Sequence, residues 1–222
     1  MEYTVFNTPE QLATSAADML RAEIEADGRM ALGLAGGSTP RATYESLASR
    51  GLDWSTTVAW LTDERWVPPM SPESNQRMIR ESLVASTGVQ FVAPDTTLHS
   101  PTEAASRFTQ TLIGVLATAA RRVTLLGIGE DGHTASLFPE TEALGTSGPR
   151  YIDNFVQHLD SWRITSTFDL LGESDIVYFL VAGGAKAAMV ASIAAGADVP
   201  AARVTAKDKV VWLLDKESAS EL

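Results

Sequence analysis

The sequence has 222 residues, of which 45% are hydrophobic and 20% are charged, and its formal net charge is −11. It contains no cysteine, which excludes disulfide scaffolds, thiolate nucleophiles and cysteine-based zinc sites. The negative charge disfavours nucleic acid and anionic lipid as partners, and no apolar run approaches the ~20 residues that a membrane span needs. We therefore expect one domain, residues 1–222, in a cytoplasmic protein whose anionic ligands require a local basic pocket.

Helices and buried strands alternate along the chain. Apolar residues at three- and four-residue spacing predict a helix over residues 9–26, with Thr8 as its N-cap and Gly28 as its stop, and a short apolar run predicts a strand over residues 29–35. Similar patterns predict further strands over residues 57–61, 122–128, 175–181 and 209–214, and helices over residues 75–85, 102–120 and 185–194. This order predicts an α/β fold with a mostly parallel, Rossmann-like sheet and helices on both faces.

In two segments toward the C-terminal half, apolar and polar residues alternate more strictly. Residues 151–158 and 162–167 are typical of antiparallel strands added to such a sheet. In parallel α/β sheets, ligands bind outside the carboxyl ends of the strands. Three polar segments follow predicted strands in this chain, which makes them the candidates for a functional site.

The first candidate segment is the run Gly36, Gly37, Ser38, Thr39 and Pro40, which opens the second helix. Two glycines let a ligand approach the backbone, Ser38 or Thr39 suits the N-cap position, and Pro40 suits the first helical position. Free amides at such a helix start form an anion site. An ordinary capped turn explains the pattern equally well.

The second candidate segment contains Asp63, Glu64 and Arg65 directly after the strand predicted over residues 57–61. Crowded carboxylates beside an arginine are typical of catalytic or substrate-orienting groups. A surface loop whose charges pair with one another is the alternative.

The third candidate segment follows the strand predicted over residues 122–128 and carries Gly127, Gly129 and Gly132. Their spacing matches the dinucleotide-binding fingerprint, which is a weak signal because Pro139 limits any following helix. The same loop contains His133, whose imidazole titrates near neutral pH and can therefore accept a proton from an attacking water.

The other histidines, His99 and His158, are not in glycine-rich loops, and we expect them only to cap turns. Asp131 lies two residues before His133, a spacing that also occurs in metal sites. With no cysteine and no second histidine nearby, we expect no metal ion here.

These segments together resemble the 6-phosphogluconolactonase family, within the superfamily that includes glucosamine-6-phosphate isomerase/deaminases. The stretches are GGSTP at residues 36–40, TDERWVP with SPESNQRM within residues 62–78, LGIGEDGHTASLFP at residues 126–139, and RIT with GGAKA near the C-terminus. Each motif is weak alone, but their order is specific and spans nearly the whole chain.

The resemblance implies that GGSTP cradles a sugar phosphate, with Arg163 and Lys186 supplying positive charge. Charge-assisted hydrogen bonds of this kind are roughly twice as strong as neutral ones. Arg65 is implied to shape the same substrate site. Without the resemblance, Arg163 would be interpreted as a charge at a strand edge and Lys186 as a solvated helix residue.

The resemblance also implies that His133 is the general base for water attack on C1 of the lactone, without a metal or cofactor. Amides of Gly129 and Gly132 are the candidate donors to the oxyanion. Asp131 and Asp63 are the catalytic carboxylates, and the sequence leaves open which of them orients the imidazole or a sugar hydroxyl.

The isomerase/deaminase branch is the main alternative, since it shares most of these motifs. Its members carry Asn-Glu-Pro shortly after the histidine, whereas this chain has SLFP at residues 136–139 with no carboxylate there; Glu140 follows one residue later. Proton transfer between C1 and C2 needs such a group, and lactone hydrolysis does not.

A non-catalytic sugar-phosphate sensor is the second alternative, which the acidic charge and the lack of a DNA-binding helix pair disfavour. We expect a monomer or weak homo-oligomer. Residues 140–150 are short and glycine-rich beside the longer loops common in the family.

Overall fold

The computed structural model describes residues 2–26, 28–148 and 150–222. Its strands are β1 (Glu2–Phe6), β2 (Met30–Leu34), β3 (Thr57–Leu61), β4 (Asp63–Arg65), β5 (Gln90–Val92), β6 (Arg121–Leu126), β7 (Tyr151–Val156), β8 (Ser161–Ser166), β9 (Ile176–Val181) and β10 (Lys209–Asp215). Seven of them form a large sheet in the order β1-β10-β9-β6-β2-β3-β5, with every pair parallel. The predicted parallel α/β fold is confirmed.

The helices are α1 (Pro9–Ile24), α2 (Ser38–Ala48), α3 (Asn75–Ile79), α4 (Ala85–Thr87), α5 (Pro101–Thr118), α6 (Phe168–Gly172) and α7 (Ala187–Ala194). A π-helical turn, Arg80–Val84, joins α3 to α4, so the helix predicted over residues 75–85 is not α-helical throughout. Shorter 3₁₀ turns occur at Glu142–Gly145, Gln157–Leu159, Gly184–Lys186 and Pro200–Arg203. None of these helices is long and apolar enough to cross a membrane.

Helices cover both faces of the large sheet, as predicted. Successive residues of β9 point to opposite faces, because side chains alternate along a strand. Phe179 packs in a cluster with α7, whereas Leu180 packs with α1 and α2. A third cluster brings α5 and α6 against β2 and β3. The central strands are buried on both sides, which explains their continuous apolar runs.

The two strands predicted to be antiparallel additions to the large sheet lie in a separate sheet. β7 and β8 are antiparallel, as predicted, but they join β4 in a separate three-stranded sheet in the order β4-β8-β7. The sequence pattern did not identify β4, because a three-residue strand of charged residues has no apolar signal. The edge strands β1 and β5 were missed as well.

Of the two predicted helix N-caps, one is correct and one is wrong. The Thr8 hydroxyl accepts a hydrogen bond from the Gln11 amide and caps α1. For α2, the expectation was wrong: Gly37 occupies the N-cap position, and neither Ser38 nor Thr39 does. Pro40 is the third residue of that helix rather than the first. Because the N-cap residue is a glycine, the amides of the first turn make no hydrogen bond to a capping side chain.

Candidate active site

The candidate site lies at the carboxyl edge of the large sheet. Three adjoining cavities of about 370, 260 and 180 Å³ share wall residues there, and Lys186 lines all three. Loops that follow β2, β6 and β9 form much of the wall, together with the small sheet. The three candidate segments of the sequence therefore meet in one place.

The loop after β6 holds an aspartate and a histidine as a hydrogen-bonded pair. Oδ1 of Asp131 lies 2.6 Å from Nδ1 of His133 and 3.1 Å from its amide nitrogen. Burial alone would raise the pKa of Asp131, but the hydrogen bonds and charge of His133 outweigh it, so this pKa lies below its usual value. A carboxylate at this distance fixes the proton on Nδ1 and leaves the lone pair on Nε2.

The same loop requires glycine at position 129. A Cβ atom there would lie 2.1 Å from Nδ1 of His133 and 2.4 Å from Oδ1 of Asp131, inside the hydrogen-bonded pair. The Gly129 amide donates to the main-chain oxygen of His133 at 2.8 Å, and the Gly132 amide donates to the oxygen of Gly129 at 3.2 Å. Both amides are used within the loop, which corrects their assignment as donors to an oxyanion.

Aromatic rings fix the other side of the histidine. The ring of Phe138 stacks on His133 with centroids 4.0 Å apart and an interplanar angle of 25°. The ring of His158 also contacts Phe138, with centroids 5.6 Å apart in an edge-on arrangement. His158 also lines the largest of the three cavities, a position that the sequence did not suggest.

Two adjacent acidic residues have different environments. Asp63 lines two of the cavities, and its Oδ2 accepts a hydrogen bond from the Ser136 hydroxyl at 2.7 Å. Glu64 is fully buried and accepts hydrogen bonds from the amides of Arg65, Asn75 and Gln76 and from the Ser74 hydroxyl. Burial raises the pKa of Glu64, and these four hydrogen bonds act in the opposite direction. Glu64 therefore holds the start of α3, and Asp63 faces the site.

Two guanidinium groups lie side by side on the small sheet. Arg65 and Arg163 are register partners on β4 and β8, and both line the largest cavity. The hydrogen bonds of these groups go to the main-chain oxygen of Glu73 and to the Ser161 hydroxyl rather than to a carboxylate. Burial and the charge of Arg65 lower the pKa of Arg163. Neither guanidinium pairs with a carboxylate of the residues that the structure describes, and two such like charges are suited to bind an anion.

The glycine-rich turn lines the site beside Lys186. Gly36 packs so closely on Asn75 that a Cβ atom would lie 2.0 Å from Oδ1 of that side chain. The smallest cavity is lined by the first turn of α2 and by Lys186, whose Nζ lies 3.7 Å from Glu130. Arg163 does not line this smallest cavity.

A fourth cavity of about 740 Å³ adjoins the site and shares only His158 with its largest cavity. Glu140 and Trp162 line this fourth cavity, and Glu140 has a φ of 62°. Among the residues that the structure describes, no group of three or more histidines and carboxylates could hold a metal ion.

Comparison with known proteins gives a consistent result. A family model described as "Glucosamine-6-phosphate isomerases/6-phosphogluconolactonase" matches residues 7–212. The chain is 34% identical to a 6-phosphogluconolactonase of Nostoc, over 100% of this chain and 99% of that protein. It is 37% identical to a 6-phosphogluconolactonase of Synechocystis, over 88% and 85%. The crystal structure of 6-phosphogluconolactonase from Thermotoga maritima superposes with a TM-score of 0.86 at 28% identity, covering 97% of this chain and 99% of the other.

Proposed function

This chain belongs to the glucosamine-6-phosphate isomerase/6-phosphogluconolactonase family, and on that premise we propose that it hydrolyses 6-phospho-D-glucono-1,5-lactone to 6-phosphogluconate. The family's description covers two activities, so membership alone does not choose between them. We base the choice between these two activities on the surroundings of His133.

The stack of Phe138 on His133 is the observation that most favours the lactonase. In the isomerase/deaminase branch a carboxylate follows the histidine, and here an apolar ring stacks on the imidazole instead. Glu140, the nearest acidic residue in sequence after this segment, lines the adjoining fourth cavity and not the cavities that contain His133. Residues 134–140 therefore place no carboxylate in these cavities that could transfer a proton between C1 and C2.

In the proposed reaction, Nε2 of His133 takes a proton from water as the water oxygen bonds to C1 of the lactone. The tetrahedral intermediate collapses with cleavage of the bond between C1 and the ring oxygen, and the imidazolium returns its proton to that oxygen. Asp131 holds the imidazole and stabilises its positive charge during the reaction. The product carboxylic acid ionises at neutral pH, so each turnover releases one proton.

The substrate phosphate is proposed to bind where the first turn of α2, Lys186, Arg65 and Arg163 surround the connected cavities. Amides at a helix start and cations together suit a dianionic phosphate. Asp63 is proposed to accept a hydrogen bond from a sugar hydroxyl.

Proton release from freshly made 6-phosphogluconolactone tests the proposal. The reaction is followed in weak buffer with and without protein, and after treatment with EDTA, and the spontaneous hydrolysis is subtracted. We expect a large acceleration that EDTA does not change. Sensitivity to EDTA would contradict the metal-free mechanism. Absence of acceleration combined with ammonia release from glucosamine 6-phosphate would identify a deaminase, and absence of both would favour a sensor.

A further inference from the structure

The carboxylate of Asp63 is held on one side only. Asp63 is 6% exposed, and Oδ2 accepts the Ser136 hydroxyl at 2.7 Å. The structure describes no hydrogen bond from any residue to Oδ1, and this atom is not among the fully buried polar atoms that lack a partner. Oδ1 is therefore open to the cavity, where a ligand hydroxyl can reach it.

Ser136 is itself fixed from several directions. Its amide donates to the Thr165 hydroxyl at 3.1 Å, and its main-chain oxygen accepts from Nδ2 of Asn154 at 2.9 Å. Thr165 is the register partner of Asp63 between β8 and β4, and Asn154 lies on β7. Ala135, just before Ser136, has a φ of 49°, a conformation that alanine rarely adopts without support from its surroundings. The serine thus joins the histidine loop to all three strands of the small sheet.

The guanidinium groups on this face of the small sheet compete with Ser136 for the carboxylate of Asp63. Asp63 and Arg65 are two residues apart on β4 and share a face of the strand, and Arg163 lies opposite Arg65. An unrestrained carboxylate here would turn toward the guanidinium groups, since an ion pair in a partly buried site is favourable. Such a pair would neutralise the cations and move Oδ1 away from the cavity.

We infer that Ser136 is a positioning residue for Asp63. Its hydroxyl holds Oδ2 so that Oδ1 faces a hydroxyl of the bound sugar and the guanidinium groups stay available for the phosphate. This inference rests on the proposed lactonase function, but the contact itself is independent of the histidine. It assigns a functional role to the serine of the segment SLFP, whose phenylalanine packs on His133.

A double-mutant cycle tests the inference. Ser136→Ala, Asp63→Ala and the double variant are compared with the unchanged protein. We expect Ser136→Ala to lower kcat/KM about tenfold, mainly through KM, as expected when a hydrogen bond to a charged group is lost. In the Asp63→Ala background the same change is expected to alter kcat/KM less than twofold, because the group to be positioned is gone.

Ser174→Ala is the matched control. Ser174 is also a buried serine whose hydroxyl lies 2.7 Å from a side-chain oxygen, that of Thr124, but it precedes β9 at the amino edge of the sheet. We expect this variant to change kcat/KM less than twofold, whatever its effect on the melting temperature. A buried serine with a purely structural role would give the same result at position 136.

Two outcomes would overturn the inference: an unchanged kcat/KM in Ser136→Ala, or an equal loss in both backgrounds. The Kd for 6-phosphogluconate, measured by calorimetry on the same set of variants, separates this question from the proposed reaction. If the unchanged protein lacks lactonase activity, the proposed function fails. Coupling between positions 136 and 63 in the Kd then still supports the positioning role, and additivity rejects it.

Discussion

The two sheets contribute to the cavity in different ways. The large parallel sheet presents His133 and Asp131 from a loop beyond a strand end, whereas the small antiparallel sheet presents Asp63, Arg65 and Arg163 from within paired strands. Hydrogen bonds inside the loop fix the first group, and strand register fixes the second. We expect the loop to govern the chemical step and the small sheet to govern substrate binding, so that variants of the two regions separate kcat from KM.

The largest effect is expected from His133→Ala. Removing a general base typically costs 10²–10⁴-fold, so we expect kcat to fall about 10³-fold while the Kd for 6-phosphogluconate changes only a few-fold. Background-corrected proton release and calorimetry measure the two quantities. His99→Ala, at an exposed position outside the cavity, is the control. Near-normal turnover in His133→Ala would remove the loop from the chemistry.

Arg163→Ala tests the small sheet. Loss of a charge-assisted contact to the phosphate is expected to raise KM about 10- to 100-fold, with a much smaller change in kcat. The effect is expected to shrink as ionic strength rises, because salt screens the remaining charges. Arg107→Ala, which removes an exposed arginine paired with Glu103, is the matched control. An equal fall in kcat would place Arg163 in the chemical step and break the separation between the sheets.

Lys186→Ala tests whether a loop of the large sheet also contributes to substrate binding. Lys186 lines all three cavities, but Glu130 already lies 3.7 Å from its Nζ and partly offsets its charge. We therefore expect a smaller rise in KM, roughly 3- to 10-fold. Initial rates over a range of lactone concentrations measure it. A rise larger than that of Arg163→Ala would move the main phosphate contact to the large sheet.

The smallest effect on chemistry is expected from Glu64→Gln, although it adjoins Asp63. The glutamine amide would face hydrogen-bond donors that now point at a carboxylate, so we expect unfolding free energy to fall by about 1–3 kcal/mol. Urea denaturation measures the loss, and Glu81→Gln, at an exposed ion pair, is the control. At temperatures where the variant is folded, we expect kcat to stay within twofold. A large loss of kcat would show that Glu64 acts on the reaction.

The large sheet could be predicted from the sequence because its signal is local. Strands buried on both faces give continuous apolar runs, and β3 was predicted with both ends correct. The small sheet depends on pairing between distant segments, and β4 contains only charged residues. Its formation brings residues about 100 positions apart together, which no local pattern reveals.

The sequence suggested which residues lie near the cavities, but it did not suggest their contacts. The candidate residues other than Gly132 line the connected cavities. Only the structure shows that Asp131 holds His133 while Asp63 contacts Ser136. The sequence identifies Ser136 and Phe138 only as part of the segment SLFP, because a single serine or phenylalanine in a loop has no pattern that predicts its contacts. The single-domain organisation, the cytoplasmic location and the monomeric or weakly oligomeric state stay predictions.

The order of strands in the large sheet has a consequence for biosynthesis. β1 pairs only with β10 in this sheet, and more than 200 residues separate Phe6 from Lys209 along the chain. At about 5–20 residues per second, translation takes roughly 10–40 s to supply that partner. During this interval the first strand has no place in the fold, so the nascent chain carries an unpaired strand edge that a chaperone can bind. Completion of the sheet is thus a late event, which follows the emergence of β10 from the ribosome.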